Sequence, residues 1–441
     1  MSYVNYFSRP HLYLRNLCGT LGQFGLFGLL LVSSLITPLS AQQLFIPMDE
    51  RQANHLKAYG LIFNHLTEGG KATWLLNYRG GSFMTDENAA LVREARLKNI
   101  TIEVISSSQA TRITQDVESP GSNTSVVNLE KAPRIAVYTP NQALPWDDAV
   151  TLALSYAEID YDKIWDVEVL QGGLQNYDWL HLHHEDFTGQ YGKFWASYRN
   201  NPWYITQVKQ MEAMATELGF NKVSDQKLAV AKTIKKYVSK GGFLFAMCSG
   251  TDTFDVALAA EGIDIAPTPF DGDPVDPNAQ ESLDYSATLA FENFTISLNP
   301  AEYEHADIDV PVAINEIDQS LDFFTLFEFS AKWDPVPTML TQNHVSSVRG
   351  FYGQTTAFRS DKIKSSVVVL GESPGREQAK YIHGTFGQGT YTFYAGHDPE
   401  DYTHRVNDPP TDLALHPNSP GYRLILNNIL FPAAKKKKQK T

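Results

Sequence analysis

The chain has 441 residues, 43% of them apolar and 20% charged, and carries a net charge of −14. This length is ample for a large core and suits two or three domains' worth of chain. The acidic balance excludes a broad nucleic-acid surface, which needs clustered Lys and Arg.

The first 41 residues contain Arg9 and Arg15 but no Asp or Glu; an apolar run spans Leu26 to Ile36 and Leu39-Ser40-Ala41 follows. That is the pattern of a secretory signal. The run falls short of the roughly 20 residues of a membrane-spanning helix. Residues 1–41 are expected to be a cleaved signal peptide, with a retained anchor as the rival. The protein is then periplasmic or secreted, without a stable membrane span. Cys18 leaves with the signal, so Cys248 is the only mature cysteine. It is either a reactive thiol or an inert core residue.

Residues 42–131 read as an N-terminal α/β segment and linker. Leu44 to Ile46 is a strand, and Asp49 can cap a helix through Leu56, Tyr59, Ile62 and Leu66. Ala72 to Tyr78 and Ile100 to Ile105 are strands around a helix from Glu87 to Leu97. Residues 107–131 are polar and read as a linker or long loop. A second α/β run occupies 132–264 and resumes at 346–431. Its expected strands are 135–138, 161–167, 177–184 and 243–247, then 366–370, 380–383 and 390–394. Its helices follow Trp146-Asp147-Asp148 and cover 224–240, 251–261 and 422–430. This alternation implies βαβ units, and the apolar run Phe243 to Met247 fits a strand buried on both faces. Residues 265–345 are expected to be a β-rich insertion, and 432–441 a basic disordered tail.

Three short segments carry candidate chemistry. Cys248 follows the apolar strand at once, with Ala246 and Gly250 two residues to either side. A nucleophile elbow needs small residues there, because the backbone doubles back. The second segment is Gly396-His397-Asp398-Pro399-Glu400, again after a strand. The third is His181-Leu182-His183-His184-Glu185-Asp186. In a strand, His181 and His183 share one face about 7 Å apart. His184, Glu185 and Asp186 then fall at the strand's C-terminal end, where α/β sheets bind ligands. Histidines and carboxylates suit transition metals, but this spacing matches no standard metal motif. Trp146-Asp147-Asp148 could line the same mouth or simply cap a helix.

The turn around Cys248 and the segment at His397 resemble the class I glutamine amidotransferase-like superfamily. The helix, Gly241-Gly242 and apolar strand before Cys248 are also similar to its trehalose-utilisation branch. Across the whole chain, IPMDERQANHLKAYG, YDWLHLHHEDFTGQY, GHDPED and PPTDLALHPNSPGYRLILNN resemble exported proteins commonly labelled asparagine synthetase B. The resemblance implies a flavodoxin-like, mostly parallel sheet with helices on both faces. It also implies a cysteine-dependent amide hydrolase. Cys248 would be the nucleophile, His397 the base, and Glu400 or Asp398 the group that orients the imidazole. His183, His184, Glu185 and Ser249 would line the substrate pocket. No cofactor and no metal is assigned on this reading. Two alternatives remain open: a non-catalytic module holding a sugar, peptide or other small molecule in the same cleft, and a metal-dependent hydrolase centred on 181–186.

Overall fold

The computed structural model describes residues 42–142, 144–310 and 318–435. The expected signal peptide and the last six residues lie outside that range. The fold is α/β, built on two sheets.

The first sheet holds β1 (Gln42–Ile46), β2 (Ala72–Leu76), β3 (Ser82–Asp86), β4 (Glu103–Ser106) and β5 (Ser125–Leu129) in the order β4-β1-β3-β2-β5. Every pairing is antiparallel. β3 and β5 were not expected, and residues 107–131 are not a linker. Ser106 and Gln109 form a capping box that starts the helix Ser107–Val117, which buries Ala110 and Val117. Asn54, rather than Asp49, caps the helix His55–Thr67 by accepting from Lys57 N–H. Asp49 is drawn instead to Arg79, 2.7 Å away.

The second sheet is mixed. It comprises β6 (Ile135–Tyr138), β7 (Asp162–Ile164), β8 (Trp179–Leu182), β9 (Phe243–Met247), β10 (Phe323–Leu326), β11 (Ser347–Arg349), β12 (Phe358–Arg359), β13 (Val368–Ser373), β14 (Gln378–Phe386) and β15 (Gly389–Tyr394). Its order is β11-β10-β13-β14-β15-β9-β8-β6-β7, with β12 on β14. The half β15-β9-β8-β6-β7 is parallel. Numbered along the chain, those five strands stand in the order 2-1-3-4-5. The other half is antiparallel, so the expected mostly parallel sheet is only half realised. Gly387, at φ +62°, turns the β14–β15 hairpin, and the second of those strands re-enters the sheet parallel to β9.

Among the described residues of 265–345, β10 is the one strand, so the β-rich insertion is not what forms. Ala287 to Leu298 runs instead as bridges and turns. Asp255 organises it by accepting the N–H groups of Leu289, Ala290 and Phe291. The start of the expected disordered tail is ordered too. Ala434 bridges Leu129, and Lys435 pairs with Glu130 at 2.8 Å.

One hydrophobic core joins both sheets through Trp74, Phe83, Val137, Tyr394 and Ile425. Burying a Leu or Ile side chain of this kind stabilises a fold by about 1.5–3 kcal/mol. Helix His55–Thr67 lies so close to helix Ala149–Ala157 that a Cβ on Gly60 would stand 1.9 Å from the Ala157 carbonyl oxygen. Residues 42–131 are thus tied into the rest of the protein. Among the described residues no helix is long and apolar enough to cross a membrane.

A stacked imidazole pair sits in this core, His55 on His344 at 4.2 Å. Burial, then the Arg423 charge, push His55 down to about 4. Burial, His55 and Arg423 push His344 down to about 3. A lowered folded value means that the unfolded chain takes up protons first, so acid costs stability below about 6.5. Relative to wild type, His344→Phe should therefore gain Tm as pH falls from about 6.5 to about 5, above the carboxylate range. A Tm difference constant across that window would contradict this.

Candidate functional site

Parallel strands bring their C-terminal ends to one side of a sheet, and ligands bind there where the strand order reverses. Here the reversal lies between β6 and β8. The chain leaving β6 carries Trp146, Asp147 and Asp148; the chain leaving β8 carries His183, His184 and Glu185. Cys248 follows β9 and His397 follows β15. All three segments singled out in the sequence therefore lie at one edge of the sheet.

Asp148 caps the helix Ala149–Ala157 through Oδ1, which accepts from Thr151 N–H at 2.8 Å. Its Oδ2 faces two imidazoles, His181 Nε2 at 3.1 Å and His183 Nδ1 at 3.3 Å. Burial alone would raise this carboxyl, but the two histidines outweigh it and hold it well below the usual range. His183 is buried, and neither of its ring nitrogens meets hydrogen-bond geometry with a partner. His184 Nε2 donates to the Asp147 carbonyl at 2.7 Å; a carbonyl can only accept, so the Nδ1 lone pair is left free.

His183 and His184 stack at 3.8 Å, and His397 lies 4.9 Å and 4.5 Å from their ring centres. Neither ring nitrogen of His397 has a hydrogen-bond partner, although the residue is only 7% exposed. Burial, followed by the neighbouring imidazoles, holds His184 and His397 well below the ordinary histidine value. Both are therefore neutral, the form that binds metals. One ligand atom from each of His183, His184 and His397 lies within 4.8 Å of the others.

On the far side of His397, His404 stacks at 4.2 Å. Its Nδ1 is 2.8 Å from Asp401 and its Nε2 is 3.0 Å from Asp147. Burial would lower this imidazole, but the Asp147 and Asp401 carboxylates prevail and hold it up at about 9. Sequence reasoning missed His404 and Asp401. They lie in an irregular loop, where no periodicity marks which side chains turn inward.

The expected cysteine triad is not assembled. Cys248 does sit on a strained turn, at φ +48° and ψ −138°, between β9 and the helix Ser249–Ala259. Gly250 is required beside it, since a Cβ there would stand 2.9 Å from the His183 carbonyl oxygen. But Cys248 Sγ accepts from Gln354 N–H at 3.2 Å, and no imidazole bonds to it among the described residues. Burial pushes the thiol up to about 11, against the opposing pull of backbone N–H groups from Thr355, Gln354 and Ser249. The segment carrying those first two donors lies across the approach, for Tyr352 and Thr355 carbonyls accept from His397 and Gly396 N–H.

Neither expected carboxylate orients His397. Asp398 accepts from Tyr422 Oη at 2.7 Å and caps the N–H of Glu400. Glu400 pairs with His416 at 3.2 Å. Ser249 Oγ is buried without a hydrogen-bond partner. Glu185 accepts from His183 N–H at 2.9 Å, and burial pushes its carboxyl up to about 7. It lines a cavity of about 20 Å³ with His184, Trp146, Tyr191 and Phe194. A larger cavity, about 610 Å³, lies elsewhere, between the first sheet and the helix Ser107–Val117, and contains none of these histidines.

Fold and site together define an α/β protein with a buried polyhistidine cluster at the switch point of its parallel half-sheet. No family model matches the chain, and no curated protein matches it. Among solved structures it is similar to the cytoplasmic protein STM3548 from Salmonella typhimurium, at 10% identity and a TM-score of 0.33, over 69% of this chain and all of that one. It is also similar to the cytoplasmic protein STM1381 from Salmonella typhimurium LT2, at 13% identity and a TM-score of 0.33, over 68% of this chain and 99% of that one. A third likeness is to Gan42B, a GH42 beta-galactosidase, at 8% identity and a TM-score of 0.25, over 60% of this chain and 28% of that one. Likenesses this distant carry no argument here.

Proposed function

We propose that this protein is a metal-dependent hydrolase of the α/β class, with His183, His184 and His397 holding a divalent transition-metal ion of the zinc type. One observation carries the reading. Three imidazoles from two distant strand ends converge within 4.8 Å, and ring nitrogens of His183 and His397 are buried without partners. Unpaired buried polar atoms are costly and rare, so a cluster of them calls for a ligand. Three His ligands leave a coordination position open, as catalytic zinc sites do. A divalent ion there would act as a Lewis acid on a carbonyl or phosphoryl oxygen. Glu185, beside His184 and with its carboxyl raised to about 7, is the neighbouring acid–base group. A small molecule, peptide or sugar derivative with a hydrolysable bond is the substrate class. Export belongs to the same proposal and rests on the signal-like pattern of residues 1–41.

The test is metal retention by the full chain prepared without a His tag. Zn²⁺ should co-elute after gel filtration and raise the Tm, and chelation should reverse the rise. At a free concentration of 100 times Kd the stabilisation is about 2.7 kcal/mol. His183→Ala and His397→Ala should each abolish the Zn²⁺-dependent rise. A chain that retains no divalent ion sinks the proposal.

A second reading is a cysteine-dependent amide hydrolase of the class I glutamine amidotransferase-like superfamily. The φ of +48° at Cys248 favours it, as does the 2-1-3-4-5 order of the parallel strands, which is the flavodoxin-like order. A thiol held near 11 is a poor nucleophile at neutral pH. Native Cys248 should therefore react with iodoacetamide more slowly than a free thiol. Fast alkylation that titrates below pH 7 would reverse the ranking of the two readings.

A further inference from the structure

The metal proposal uses His397 from one side only. On the other side Asp147 and His404 form a second convergence, in which one ligand atom each from Asp147, His397 and His404 lies within 4.8 Å of the others. We propose that this is a second cation site, in which the ion displaces the Nε2 proton of His404 and is held by that nitrogen and the Asp147 carboxylate next to His397, so that the centre is dinuclear. The inference rests on the metal reading above and deepens it.

Three observations carry it. The first is a buried carboxylate with a single facing imidazole. Both Asp147 side-chain oxygens are buried and neither meets hydrogen-bond geometry; His404 Nε2, 3.0 Å from Oδ1, is the group that faces them. Burying a carboxylate is expensive unless a cation lies against it, and here a protonated His404 or a metal ion fills that role.

The second is a contact that is close but misaligned. His404 Nε2 stands 3.0 Å from Asp147 Oδ1, yet the two do not meet hydrogen-bond geometry. Two donors aimed at a common point behave this way. Ligand atoms about 2.1 Å from one ion stand about 3.0 Å apart at an octahedral angle and about 3.4 Å apart at a tetrahedral one.

The third is the support behind each ligand. Metal-bound histidines usually hand their other nitrogen to a carboxylate or carbonyl, which fixes the tautomer. His404 Nδ1 is hydrogen-bonded to Asp401 at 2.8 Å, and His183 Nδ1 faces Asp148 at 3.3 Å without meeting that geometry. Asp147 joins the two halves, because its carbonyl accepts from His184 while its carboxylate faces His404. His397 stands between them with both ring nitrogens unpartnered, and its one lone pair serves one of the two ions.

In two-metal hydrolases the paired ions clamp the attacking and the leaving oxygen of an in-line displacement. A second ion here suits substrates hydrolysed through such a displacement, phosphoesters foremost.

The experiment is a Zn²⁺ count on the full chain, by elemental analysis and by calorimetric titration, for wild type, His404→Ala, Asp401→Asn and His184→Ala. The proposal expects two ions in wild type and one in His404→Ala. Asp401→Asn should retain two, the weaker one bound about 10–100-fold less tightly. This variant keeps every ligand, so it serves if His404→Ala fails to fold. His184→Ala should lose the first ion. One ion in wild type, unchanged by His404→Ala and lost in His184→Ala, overturns the second site and leaves the first reading standing. His404 is then an imidazole held between two carboxylates and nothing more. No ion in wild type overturns both.

Discussion

Replacing Asp148 by Asn should weaken Zn²⁺ binding about 10–100-fold while leaving the helix behind it capped. The two functions of this side chain reside on different oxygens. Oδ1 accepts from Thr151 N–H, and an Asn oxygen does the same with little loss, since Asn is as good an N-cap as Asp. Oδ2 faces His181 Nε2 and His183 Nδ1, and in the variant the amide NH₂ takes its place. The negative charge that faces His183 is gone, although His183 itself is untouched. Affinity is read by competition with a chromophoric chelator, and capping by Tm in the presence of chelator. Unchanged affinity would remove Asp148 from the site.

Asp166→Ala should cost about 3–5 kcal/mol of stability, the penalty for breaking a buried ion pair by deleting one partner. Lys227 Nζ lies 2.9 Å from Asp166 Oδ2 and 2.9 Å from Tyr138 Oη, and it also sits 4.0 Å over the Trp165 ring. Side chains of both ions are almost fully inaccessible, at 1% and 2% exposure. With the carboxylate removed, the ammonium is left buried among aromatic rings. The double variant Asp166→Leu, Lys227→Met should recover most of the loss, because it buries no charge. Urea unfolding of the two variants decides the matter, and equal losses in both would contradict it. The cluster also bears on the site. Tyr138 ends β6, and the next ten residues lead to Asp147 and Asp148.

Much of the fold was legible because its signals are local. Phe243 to Met247 is apolar throughout because β9 lies inside a sheet with a parallel neighbour on each side. The helix Val223–Ser239 and the cap at Asp148 follow from spacing alone. The helix Ser107–Val117 was obscured because its exposed face is Ser, Gln, Thr and Arg, a composition that also suits a loop; Ala110 and Val117 are its only buried residues. The segment 287–298 misled in the opposite way. Phe291, Phe294 and Ile296 are buried, but by side chains packing under Asp255-capped turns, without strand pairing along its length.

The candidate site divides along the same line. Cys248, His183, His184 and His397 could each be picked out, since each follows a strand, and strand ends in α/β proteins gather at one edge. Their partnership could not be. The pairing of β15 beside β9 invites a Cys248–His397 dyad. The backbone of 352–355 instead covers the thiol, and His397 turns to the histidines after β8. Asp147 and Asp148 read as a helix cap because one of them is; what else their oxygens face depends on β8, about 35 residues away in sequence and next to β6 in the sheet.

By itself, then, the sequence determined the α/β alternation, the strained turn at Cys248 and the inventory of histidines and carboxylates. Only the tertiary structure decided which of them stand together. Metal-ligand geometry is a matter of a few ångströms between side chains, and chain spacing carries no such information once the residues stand on separate strands. The parallel order that places β6, β8, β9 and β15 side by side brings His183, His184, His397 and Asp148 together, and it leaves Cys248, the most conspicuous residue in the sequence, buried behind them.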